Sequence, residues 1–182
     1  VTGAFINNRI VFNENTTVDG NLTVANNGNL TVTGSKAFKI SHPLPEKSET
    51  HNLIHSSIEG PQVDNIYRGK INLINGTASV NIDTVAKMTE GTFVALNREV
   101  QCFTTNETGW TAIKGSVSGN ILTITAQDNT CTDTISWLVI GERQDQNIYN
   151  SDSTDENGKL IVEIEKIPGE DDPLFGLNLE ES

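Results

Sequence analysis

The pentapeptide GNLTV occurs twice in quick succession, at residues 20–24 and 28–32. In each copy Leu and Val stand two apart, as Leu22/Val24 and Leu30/Val32. Along a strand that spacing puts both on one face and the intervening Thr on the other. "DGN" and "NNGN" supply turns beside the repeats, because Gly tolerates positive φ. Each repeat thus offers only two or three apolar side chains. One chain folding on itself would bury too little there to offset its ordering entropy. Two repeats are also too few for a solitary solenoid. Two solutions remain. Several identical chains meet along an axis, each supplying one wall of a narrow core, or a pair of hairpins packs on the next domain.

Beyond the repeats the chain reads as all-β. Short runs rich in Val, Ile and Thr alternate with Asn, Gly, Asp and Ser, which favours strands and tight turns. No long stretch places apolar residues every three or four positions, so little helix is expected. With 35% hydrophobic residues the 182-residue chain can build a core.

Three segments follow. Residues 1–35 hold the short strand "RIVFN" and the repeats, and are expected to form a shaft or neck. Residues 36–145 hold dense strand signals: "AFKIS", "HNLIHSS", "DNIYRG", "GTFVALN", "EVQCFTTN" and the apolar "DTISWLVIGER", read as a central strand. "KINLINGTASVNID" reads as a hairpin turning at Asn75-Gly76, and "WTAIKGSVSGNILTITA" as one turning near Ser118-Gly119-Asn120. This many strands point to a β-sandwich head, with Greek-key links as one topology. Trp110, Trp137, Phe93 and Phe103 are expected in its core. Residues 146–182 read as a polar linker, one strand in "KLIVEIEKI", and an acidic end. From Ser151 onward there are ten Asp/Glu and two Lys, so this stretch carries −8 of the net −12.

That net charge repels phosphate backbones and anionic membrane surfaces, so neither nucleic acid nor membrane is an expected partner. The chain opens at Val1 rather than Met and is expected to be processed or partial. Cys102 and Cys131 lie in strand-like runs and are read as free thiols, with a single disulfide as the alternative.

The densest group of reactive residue types is "SHPLPEKSETHNLIHSSIEGP", with His42, His51, His55, Ser56, Ser57, Glu46, Glu49 and Glu59. His51 and His55 have the i, i+4 spacing of a helical metal pair. In a strand the same spacing separates their Cα atoms by about 13 Å and prevents chelation by one chain. Ser56 or Ser57 beside a histidine lacks the GxSxG elbow of a hydrolase nucleophile. A structural role for this segment, with no metal, is the expectation. Carboxylates such as Glu59 and Asp64 are candidates for glycan cleavage, and Trp110 and Tyr67 for stacking on sugar. The exposed turns Asn106-Glu107-Thr108-Gly109 and Ser118-Gly119-Asn120 are the expected contact surface.

"TTVDGNLTV" and "NGNLTVTG" resemble the shaft repeats of bacteriophage tail-fibre and other virion fibre proteins. "KAFKISHPLPEKSETHNLIHSSIEGPQVDNIYRGKINLINGTASV", with "TGWTAIKGSVSGNILTI" and "DTISWLVIGERQD", resembles a β-rich domain of structural and fibre proteins of tailed phages, marine and cyanobacterial ones in particular. The resemblance spans about Asn15 to Asp145. It implies a homotrimeric, non-enzymatic part of the virus particle without a cofactor. Its partners would be other virion proteins and a host surface glycan or protein. It carries over no active-site residues. A capsid decoration or baseplate connector without a receptor is the main alternative, and a glycan-degrading enzyme the third.

Overall fold

The computed structural model describes residues 4–6, 9–11, 18, 22, 24, 30, 32, 34 and 36–165. The chain divides into two compact units, Thr31–Ile161 and a second made of Val1–Leu30 with Val162–Ser182. In the second, β1 (Ala4–Ile6) pairs antiparallel with β2 (Arg9–Val11), the strand expected from "RIVFN". Most of the repeat segment lies outside the described residues. Those of its apolar residues that are described, Val18, Leu22, Val24, Leu30 and Val32, are exposed.

The unit Thr31–Ile161 is built on two three-stranded antiparallel sheets. One has the order β5 (Asp64–Asn72), β10 (Thr134–Arg143), β7 (Asn97–Asn106). The other has the order β6 (Thr77–Asn81), β9 (Ile121–Ala126), β8 (Ile113–Ser118). The unbroken apolar run at residues 137–140 in β10 suits its central place. Ile135, Trp137 and Val139 enter the core, while Ser136, Leu138 and Ile140 face away. From the other sheet come Val80, Leu122 and Ile124; Leu73, Ile82, Phe93 and Cys131 fill the ends. This is the expected all-β core in sandwich form. Gly69 faces Trp137 so closely that an added Cβ would lie 2.6 Å from the indole. A third, two-stranded sheet pairs β3 (Ala37–Ser41) with β4 (Asn52–Ser56).

Several expectations need correction. The Asn75-Gly76 turn is present, both residues at positive φ and Ile74 bridged to Thr77. Yet its two arms join different sheets, so it is a corner and no hairpin. Leu73 is drawn into the core and its N–H donates to the Asp133 carbonyl, while Thr77 pairs with Thr125. "GTFVALN" forms no strand before its last residue, Asn97, which opens β7. It contains the helix α2 (Thr92–Leu96), after a short helix α1 (Ile82–Val85). Phe103 is half-exposed and Trp110 is fully exposed, against the expected burial. In β7 it is Val100 and Cys102 that turn inward. Both cysteines are free thiols.

The stretch read as a polar linker is structured. Asp145 caps α3 (Gln146–Tyr149) by accepting the Asn147 N–H. Leu160 bridges to Thr154, but residues 161–165 form no strand, against the reading of "KLIVEIEKI". The Ile161 N–H still donates to the Ser153 carbonyl, but among the described residues no strand pairs with residues 162–165.

Candidate functional site

The two expected contact turns lie at opposite ends of β8, separated by about 17 Å of strand, so they do not form one patch. The first is tightly organised. The Asn106 amide donates to the Asp133 carboxylate (2.7 Å) and the Thr111 carbonyl (3.3 Å). Its oxygen accepts from the N–H groups of Thr108 (3.2 Å) and Gly109 (2.9 Å). A Cβ at Gly109 would collide with the Asp133 carboxylate and displace it from Asn106. Thr108 Oγ1 accepts the Thr134 N–H. Glu107 pairs with Lys70 (2.6 Å) and accepts from the Ser136 hydroxyl. The Lys70 ammonium, then that hydroxyl, hold its carboxyl below the usual range. The outcome is a loop tied by hydrogen bonds that leaves Trp110 in solvent.

The second turn is less free. Ser118 and Gly119 are exposed, with Gly119 at φ 60°. The Asn120 amide donates to Asp83 (2.8 Å) and Glu90 (2.7 Å), so its side chain serves the fold.

The histidine segment places its reactive groups apart. His51 precedes β4 and His55 lies within it, so they share no helix face. His51 Nδ1 lies 2.7 Å from the Thr50 hydroxyl, and the His55 ring packs against Phe38 at 5.1 Å. His42 Nδ1 accepts the Leu44 N–H. Among the described residues no group of three or more His, Cys, Asp or Glu is placed to hold a metal ion. Ser56 and His55 are successive in β4 and project to opposite faces, which rules out that pair as a dyad. The Ser57 N–H donates to the Lys36 carbonyl, and Glu59 pairs with Lys36 at 2.9 Å. Glu46 lies in a 3-10 turn, Pro45–Lys47, and Glu49 in the loop after it.

Tyr67 is a core-edge residue. Its hydroxyl accepts from the Asn97 amide and its ring meets Phe93 edge-on at 5.1 Å. Asp64 opens β5 and stands opposite Glu142. A glycan-cleaving pair needs one carboxyl raised enough to keep its proton. The described carboxylates displaced from their ordinary values, Asp83, Glu107, Asp128, Glu142, Asp145 and Asp155, are all displaced downward.

Sequence reasoning missed the outer face of the β5–β10–β7 sheet. Register puts Arg68 and Phe103 on either side of Leu138, and Lys70 and Thr105 on either side of Ser136. They line an open depression of about 510 Å³. The signal was the alternation of β7, whose parity the sequence leaves open. No family model matches the chain, and no curated protein matches it.

Proposed function

We propose that the chain is a non-enzymatic structural protein of a virus fibre, working as a bundle of three copies that attaches the particle to a host surface. One observation carries this reading. Among the described side chains, none before Leu73 is buried, although Val18, Leu22, Val24, Leu30, Val32, Phe38, Ile40 and Ile54 are all apolar. So many exposed apolar side chains in one part of a chain mark a surface that other chains cover. The likeness of the repeats and of the following domain to tailed-phage fibre proteins supports the same reading. Multivalency supplies the mechanism: weak contacts repeated on one stem give avidity beyond that of a single contact.

Sedimentation of the intact chain tests the assembly. Three copies are expected, with association weakened when residues 1–35 are deleted. A stable monomer at micromolar concentration would sink the reading. For attachment, Trp110 is the side chain best placed, because tryptophan dominates many contact surfaces and this one meets solvent on a loop tied by hydrogen bonds. Trp110→Ala is expected to change stability by no more than about 0.5 kcal/mol. It should lower retention on immobilised host-surface glycans by roughly tenfold or more. Unchanged retention would favour the connector role, in which assembly is kept and no receptor is bound.

A further inference from the structure

We propose that the β3–β4 ribbon is the surface by which one copy of this chain meets another, an inference that rests on the fibre reading above. Cross-strand pairing puts Phe38, Ile40, Leu53 and His55 on one face, and Lys39 and Ile54 on the other. Every residue of β3 is exposed, and in β4 only Leu53 is partly covered. Phe38 and Ile40 are 49% and 48% exposed, and Ile54 on the opposite face 60%. Among the described residues the sheet has just two strands, and each has one edge that no other described strand pairs with. A ribbon of this kind is at best marginally stable alone in water.

The occupant must therefore be present whenever the chain folds. A second copy of the chain meets that condition, and a receptor encountered after assembly does not. Charge points the same way. Residues 36–59 hold three Lys (36, 39, 47) and three Glu (46, 49, 59), a formal sum of zero in a chain of −12. Copies of so acidic a chain repel one another less where a neutral segment such as this forms the contact than where the acidic end would. Leu44 and Ile58, which flank the two strands, are exposed as well. Each copy offers both an apolar face and an edge without a described partner strand, so the contact can close around an axis.

Amide exchange and sedimentation on the intact chain test this. The expected result is an oligomer whose amides in residues 37–41 and 52–56 exchange as slowly as those of β10. The double substitution Phe38→Asp, Ile40→Asp should weaken association roughly 100-fold with the near-ultraviolet tryptophan signal intact. If that variant loses the signal, the exchange pattern of the unmodified chain decides alone. An oligomer whose ribbon amides exchange as fast as an unfolded peptide overturns the ribbon contact and leaves the fibre reading standing. So does one whose association ignores the double substitution. A monomer overturns both.

Discussion

Glu142→Ala is expected to lower stability by about 3 kcal/mol and to release residues 146–161 from the sheet. The Glu142 side chain is 4% exposed and receives two cations. Arg98 Nε lies 3.1 Å from the carboxylate, and the Lys159 ammonium closes on it from the other side. Burial pushes this carboxyl upward, but hydrogen bonds from Lys159 and Arg98, with their charges, hold it below the usual range. Arg98 extends the clamp. It donates to the carbonyls of Gly158 (2.8 Å) and Asn157, and lies 5.9 Å from the centre of the Tyr149 ring. Removing the carboxylate leaves Arg98 and Lys159 facing each other, with Glu99 as the remaining anion on Lys159. Breaking a buried pair at one partner strands the other charge, so the loss exceeds the value of any single hydrogen bond. Urea unfolding measures the stability change, and limited proteolysis within residues 150–158 reports the release. Cleavage no faster than in the parent chain would mean that α3 and its packing, rather than this clamp, hold the segment. Glu142→Gln keeps the shape and one acceptor, and its effect should be the smaller.

Parts of this fold were legible in the sequence because one local pattern was enough to decide them. β10 is the most apolar run of the chain, with residues 137–140 unbroken, and a strand apolar on both faces belongs between two others. The turns at Asn75-Gly76 and Gly119-Asn120 were equally plain, since positive φ selects the residue types. What those turns connect was not legible. Whether the arm after Gly76 returns along β5 or leaves for another sheet depends on Leu73 entering the core. It depends as well on the Gly76 N–H reaching the Cys131 carbonyl, a partner far along the chain. Phe103 and Trp110 were misplaced for a related reason. In "VQCFTT" either Val100 and Cys102 or Gln101 and Phe103 can face inward, and the bulge at Glu99, with φ 49°, helps set the parity.

The same distinction separates the candidate site from the rest. The exposed turn at 106–109 was readable from its residue types. That Asn106 spends its side chain on organising the turn, and that Trp110 is thereby displayed, required the position of Asp133. Among the described residues, the apolar side chains before Leu73 are not buried, and the repeats themselves lie mostly outside the described residues. Within the unit Thr31–Ile161, strand signals alone gave no sign that β3 and β4 form a sheet apart from the two larger ones.

Asp83→Ala is expected to lower Tm by about 10 °C, because one carboxylate holds three parts of the chain together. Asp83 is fully buried at the start of α1. It accepts the N–H groups of Gly91 (2.8 Å) and Phe93 (2.7 Å), where α2 begins, and the Asn120 amide at the β8–β9 turn (2.8 Å). This explains why "GTFVALN" is helical despite its strand-like composition: the carboxylate satisfies N–H groups that a helix start leaves open. Alanine orphans all three donors, and asparagine turns one acceptor into a fourth donor facing them. Burial alone would raise the Asp83 pKa. The bonds from Asn120, Phe93 and Gly91 outweigh it and hold the group below its ordinary value of 3.8. A folded-state pKa below the unfolded one gives stability that is fully present above 3.8 and is lost as pH falls through the folded value. The gap in urea midpoint between the parent chain and Asp83→Asn should therefore be widest at neutral pH and narrow by about pH 3. A gap of equal size at both would show that side-chain shape, and not the ionised carboxylate, joins α1, α2 and the β8–β9 turn.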